Sequence, residues 1–270
     1  MTAPDDPAAG TEPGSPGATL DFSPAPGAAP ARRRITGHAR TEALLLARNG
    51  EQLLLALVIP LGLLLLGRFT GSRFGVDFDV VAPSVLALAV WSTCFTSLAI
   101  ATGFERRYGV LERLASTPLT RTGLIVGKAC ALTLVSVVQL LVLGAAALAL
   151  GWRPAWQPVP ITIAVLAVLL AATAFAGLAM LLAGTLRAEI TLALANLVYL
   201  VFVVAGAIMI PVSAHPAALQ PIVRLLPTAA LGEALRNSSA GITDGWPLLV
   251  LLVWAVLAVV VGRKVFRWMS

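Results

Sequence analysis

Long apolar runs separated by short charged links dominate the chain. No charged residue occurs from Val80 to Gly103, from Ala129 to Trp152, from Pro154 to Leu186, or from Ile190 to Ala214. Each run exceeds the roughly 20 residues a helix needs to cross about 30 Å of hydrocarbon. The runs are strings of Leu, Val and Ala without the in-out alternation of barrel strands. They predict an all-α integral membrane protein with six transmembrane helices, at about 52–67, 80–103, 129–151, 159–186, 190–212 and 247–262. The first is short and contains Pro60, which predicts a kink. Arg48 and Arg68 stand where they can snorkel from its ends. Only Arg187, Ala188 and Glu189 separate the fourth and fifth spans, which predicts a tight helical hairpin.

Residues 35–52 mix charge with leucine and predict an N-terminal amphipathic surface helix. Residues 1–34 read as a disordered cytoplasmic tail, because Pro, Gly and Ala there offer too little apolar surface for a core. They lack the basic-then-apolar pattern of a signal peptide. Residues 35–270 form one six-span domain, with a cytoplasmic link over 104–128 and an outer re-entrant segment over 213–245.

Composition agrees with this reading. Charged residues make up 12% of the chain, against about 25% in an ordinary soluble domain. A net charge of +6 on a soluble protein would point to nucleic acid; here the basic residues flank the apolar runs. An inside N-terminus places Arg32, Arg33, Arg34, Arg40, Arg48, Arg106, Arg107, Arg113, Arg121, Lys128, Arg187, Arg263, Lys264 and Arg267 on the cytoplasmic face. Arg68, Arg73, Arg153, Arg224 and Arg236 fall outside. That asymmetry predicts both termini in the cytoplasm, and no nucleic-acid partner. Trp152, Trp156 and Trp246 fall at predicted outer ends, where indoles favour the interface. Arg strongly outnumbers Lys, the usage of a GC-rich genome, so the expected setting is a bacterial cell membrane.

Several chemistries are excluded. No predicted span interior holds Asp, Glu, Lys, Arg or His, the groups that ion-coupled carriers usually need. Gln139 and Asn196 are the strongest polar groups there and predict hydrogen bonds between helices. The stretch Gly123–Lys128 lacks the spacing and the Ser or Thr of a phosphate loop. Its glycines instead predict close helix packing. His38 and His215 fall on opposite sides of the membrane, and Cys94 and Cys130 read as small apolar residues. The chain is therefore expected to have no catalytic residue, no metal and no cofactor of its own.

Two links carry the candidate function. In the first, Phe104, Tyr108, Leu111 and Ala115 fall on one face of a helix, with Glu105, Arg106, Glu112 and Arg113 off it. Pro118 predicts its end, and Thr117 predicts the cap of a second helix running to Lys128. Such an elbow either transmits force between two spans or anchors at headgroups. In the second link, Leu219, Ile222, Val223 and Leu226 form a stripe that Pro227 ends, and Leu231 and Leu235 begin another. These predict two short amphipathic helices acting as an outer gate or a cap.

The elbow sequence from Glu105 to Leu114, then Thr117, Pro118 and Leu119, then Gly127 and Lys128, resembles the cytoplasmic loop of type-2 ABC exporter permeases. Residues 43–66 resemble that family's surface helix running into a Pro-containing span, and 225–236 resemble its outer element. Ala229 and Ala230 stand where the family usually has an aromatic residue. The resemblance implies the permease subunit of an ATP-driven exporter of drugs, antibiotics or envelope components, amphipathic or lipid-like. It implies a separate ABC ATPase subunit holding ATP and Mg, a second permease protomer, identical or not, and membrane lipids as partners. It makes the elbow a coupling helix. Glu105, Arg106, Arg107, Glu112 and Arg113 would contact the ATPase electrostatically, and Tyr108, Leu111 and Leu114 would be apolar knobs closed by Thr117 and Pro118. Arg187 and Glu189 would assist, and Leu226, Pro227, Leu231, Glu233 and Arg236 would form the outer gate. The competing readings are a non-transporting scaffold, a membrane-embedded lipid or peptide enzyme, and a secondary carrier.

Overall fold

A computed structural model describes residues 29–48, 50–115 and 120–265. The tail expected to be disordered lies outside the described residues up to position 28, as do Thr117 and Pro118. Among the described residues all regular structure is helical. The helices are α1 (Ala31–Arg48), α2 (Gly50–Thr70), α3 (Phe78–Trp91), α4 (Leu98–Arg107), α5 (Val110–Ala115), α6 (Arg121–Ala149), α7 (Pro158–Thr185), α8 (Ala188–Ala205), α9 (Gln220–Val223), α10 (Pro227–Ser239) and α11 (Trp246–Val265). Arg32, Arg33 and Arg34 sit in the first turn of α1 instead of ending the tail.

Caps explain several boundaries. Asp77 accepts from the Asp79 backbone N–H at 3.1 Å and starts α3. Thr120 accepts from the Gly123 N–H at 3.1 Å and starts α6. The helix leading to Lys128 is thus capped three residues later than the Thr117–Pro118 pair predicts. Both side chains supply the acceptor that a first turn lacks. Proline opens α7 at Pro158, where the absent N–H costs no bond.

A π-helical turn, Ser92–Ser97, joins α3 to α4. The result is one 30-residue rod, Phe78–Arg107, and it is the most buried of four helices long and apolar enough to cross a membrane. The others are Val126–Ala149, Pro158–Thr185 and Ala188–Ala205; Ala56–Thr70 and Trp246–Gly262 are shorter apolar helices. Around the rod, Trp91 stacks on Phe95 with ring centroids 4.2 Å apart and meets Phe175 of α7 edge-on at 4.7 Å. Leu64, Val85 and Leu143 bring α2, α3 and α6 together in a second apolar cluster. Gly177 lets α7 lie against α11, because a Cβ there would fall 2.5 Å from Ala258 Cβ.

Gln139 bonds between helices as expected: it accepts from Thr93 at 2.8 Å and donates to the Ala56 carbonyl at 2.7 Å. Asn196 does not, since its amide donates to Leu192 O in its own helix. The predicted fifth span also stops early, at Ala205 instead of 212. Beyond it Ala207 adopts φ 52°, and the carbonyls of Gly206, Ala207 and Ile208 turn to side chains of α10.

Candidate functional site

At one end of the bundle α1, α4 and α6 converge on a single lysine. Gly127 of α6 lets α1 approach, because a Cβ there would sit 2.5 Å from the His38 ring. Lys128 follows it and is 3% exposed. Its ammonium donates to Glu42 Oε1 of α1 at 3.0 Å and to Glu105 Oε1 of α4 at 2.8 Å. A buried ammonium is tolerable only when carboxylates or other acceptors replace its water. His38, one turn before Glu42, brings Nε2 to 3.6 Å from Glu42 Oε1. Burial lowers the His38 pKa; Glu42 opposes the shift and Lys128 reinforces it.

The elbow's first charges are turned toward the bundle. Beside Glu105, the Arg106 guanidinium donates to Ala183 O at 3.3 Å and Leu186 O at 3.5 Å, carbonyls at the end of α7. Such carbonyls have no partner within their own helix, and a cation suits that end of the helix dipole. Arg107 pairs with Glu189 in the first turn of α8, where an anion is favoured. Gly103 lies directly against Thr191 of α8, 3.3 Å from where its Cβ would be. The last turn of α4 therefore ties α1, α6, α7 and α8 together.

The predicted continuous face through Tyr108 is broken. The chain turns at Gly109, whose φ of +69° suits a residue without a Cβ, and α5 sets off separately. Tyr108 is largely exposed and its ring stacks on Phe104, centroids 6.1 Å apart. Glu112 and Arg113 are exposed on α5, while Leu114 packs against the core. Arg187 is the cap residue of α8. The sequence-predicted residues thus divide into a root bonded to neighbouring helices, Glu105, Arg106 and Arg107, and an outward tip, Tyr108, Glu112 and Arg113.

Sequence reasoning does not single out His38 or Glu42, and it places Lys128 at the end of a helix in the cytoplasmic link, before the third span. Glu105 and Lys128 instead fall within helices long enough to cross a membrane, so those helices are not free of ionisable groups. The available signal was the spacing of His38 and Glu42, four residues apart on one helix face.

The second predicted cluster sits on α10. Arg236, expected among the outer loop charges, is 8% exposed. It donates to Ser84 Oγ of α3 and to the carbonyls of Ile208 and Ala207, each at 2.9 Å, and pairs with Glu233 at 3.0 Å. Glu233 also accepts from the Val212 N–H at 3.1 Å. Burial lowers the Arg236 pKa and Glu233 opposes it. Pro227 starts α10, Leu231 is fully buried, and Leu226 packs beneath with Val212 and Val223. These residues satisfy the irregular chain after α8, so the two predicted short helices hold an unwound stretch in place.

Neither cluster is a metal site: among the described residues no three His, Cys, Asp or Glu side chains gather as ligands. The arrangement offers ties between helices and an exposed charged tip. Among curated proteins, none matches the chain. The family model described as ABC-2 type transporter matches residues 31–239. This span takes in the Lys128 cluster, the elbow and α10, so the chain is a multi-pass membrane protein that belongs to the ABC-2 type transporter family as a permease.

Proposed function

We propose that this permease is the membrane subunit of an ATP-driven exporter in a bacterial cell membrane. It moves an amphipathic or lipid-like substrate outward, powered by a separate ABC ATPase subunit that holds ATP and Mg. In this reading six segments span the bilayer: α2, the α3–α4 rod, α6, α7, α8 and α11. Both termini and the elbow face the cytoplasm, and α1 lies along the inner surface. A second permease protomer completes the pathway. The sparse burial of α8, the lowest of the four long apolar helices, supports such a partner.

The observation that carries the proposal is the division of the elbow. Its tip presents Tyr108, Glu112 and Arg113 outward, while its root is bonded to α6, α7 and α8. A push on α5 is therefore delivered to several helices at once. Closure of the ATPase subunits would shift the bundle between two packings, each held by its own contacts. Leu111, Thr117 and Pro118 are assigned the same coupling role in this reading, with Arg187 and Glu189 assisting. Leu226, Pro227, Leu231, Glu233 and Arg236 border the outer exit. The test is co-purification with the candidate ATPase in mild detergent, then ATP turnover in lipid, for wild type and Glu112→Ala/Arg113→Ala. A stable wild-type complex whose coupled turnover falls in a well-folded variant supports coupling. No association, with a variant indistinguishable from wild type, leaves the scaffold reading.

A further inference from the structure

A groove runs along α6 beside the buried lysine. About 390 Å³ of space lies between α1, α2, the α3–α4 rod and α6. Its wall along α6 is apolar from Ala131 to Val142 except for Gln139, and it opens to the surroundings, with Leu134 and Val138 more than half exposed. From Lys128 to Val142 the helix rises about 21 Å at 1.5 Å per residue. That exceeds half of the roughly 30 Å hydrocarbon core, so an apolar chain of one leaflet's length fits.

Charge is confined to one end. Glu42, Glu105 and Lys128 are the ionisable side chains on the wall, two acidic groups to one basic. The Lys128 ammonium is already held by both carboxylates. Burial lowers the pKa of His38 behind Glu42. Farther along, Thr93 and Gln139 satisfy each other and the Ala56 carbonyl. The unmet demand of the groove is therefore for a cation at the Glu42–Glu105 end and for apolar surface elsewhere.

We infer that this groove binds a cationic amphiphile: a protonated amine at Glu42 and Glu105, on an apolar chain or ring system lying along α6. An anionic head would meet the excess of acidic groups, and a neutral one would gain no ionic contact there. The inference concerns binding and stands whether or not the ligand is transported.

The test titrates the full chain, in nanodiscs of neutral lipid, with dodecylamine, dodecanol and dodecyl sulfate, against empty nanodiscs. Dodecylamine should bind saturably and about tenfold more tightly than dodecanol, the scale of one charge-assisted hydrogen bond. Val135→Trp fills the groove without touching a charge and should abolish saturable binding. Glu42→Gln should weaken it severalfold. Equal binding of all three amphiphiles, preference for dodecyl sulfate, or indifference to Val135→Trp would overturn the inference. If a variant melts early, photolabelling of wild type with a diazirine alkylamine decides the matter. Label along residues 131–142 supports the site, and label confined elsewhere overturns it.

Discussion

A buried charge is stable only as long as its partners are, and Lys128 makes this measurable. Removing one member of a buried ionic cluster typically costs 3–5 kcal/mol, because the remaining charges stay desolvated. Lys128→Ala leaves Glu42 and Glu105 facing each other without the ammonium that lies about 3 Å from both. We expect it to destabilise the protein by roughly 3–5 kcal/mol, read as a lower unfolding midpoint in detergent. The triple variant Lys128→Ala/Glu42→Gln/Glu105→Gln should recover much of that loss; equal midpoints for single and triple variants would rule out the electrostatic account. His38 adds a pH dependence whose sign follows from its burial. The folded protein holds the ring neutral below its ordinary 6.5, mainly through burial, while the unfolded chain protonates near that value. Between the two values the unfolded state binds more protons, so stability rises with pH and is lost as pH falls below 6.5. Above 6.5 both states are neutral at this site and its contribution is flat. Melting at about pH 7.5 and about pH 5.5 should therefore show a larger drop for wild type than for His38→Gln.

Elements were legible in the sequence where uncharged length alone decides them. The runs that begin at Val80, Ala129 and Pro154 became long helices, because a bilayer-length apolar stretch has no other way to satisfy its backbone. Boundaries set by single side chains were less legible. α6 starts at the Thr120 cap, and nothing in the apolar pattern distinguishes Thr120 from Thr117. The elbow's 4-3-4 spacing passes over Gly109, whose positive φ divides the face into α4 and α5. The run after Ile190 hides the end of α8, since apolarity is indifferent to whether the backbone bonds to itself or to Arg236. That arginine lies 28 residues beyond Ile208 and accepts no helical-wheel argument; only the fold brings its guanidinium to the carbonyls of Ala207 and Ile208. The π-helical turn at Ser92–Ser97 is equally invisible to hydropathy. Of the candidate site, the charged tip was readable from the elbow's composition. The Lys128 cluster was not, because it joins side chains from three helices whose contact depends on Gly127.

At the scale of the whole molecule, the α3–α4 rod connects the two polar clusters. Near one end Ser84 accepts from Arg236, and at the other Glu105, Arg106 and Arg107 grip three helices, α6, α7 and α8. Movement of the elbow can then reach α10 through one rod, provided that its root moves α7 and α8 with it. The Arg107–Glu189 pair isolates that proviso. Both side chains are more than half exposed, so the pair should contribute at most about 1 kcal/mol to stability. Cutting it with Arg107→Gln or Glu189→Gln should leave the melting midpoint nearly unchanged. ATPase association should also persist, because the tip residues Tyr108, Glu112 and Arg113 are untouched. If the pair carries displacement from α4 to α8, transport per ATP hydrolysed should fall on the order of fivefold, the lower range of measured coupling free energies. The reciprocal swap Arg107→Glu/Glu189→Arg restores the attraction and should recover coupling, whereas Arg107→Glu alone should be the worst of the series. A swap as poorly coupled as the single reversal would show that Arg107 acts through the ATPase surface and not through α8. Full coupling in every variant would assign transmission to the Arg106 bonds on α7 and the Lys128 cluster instead.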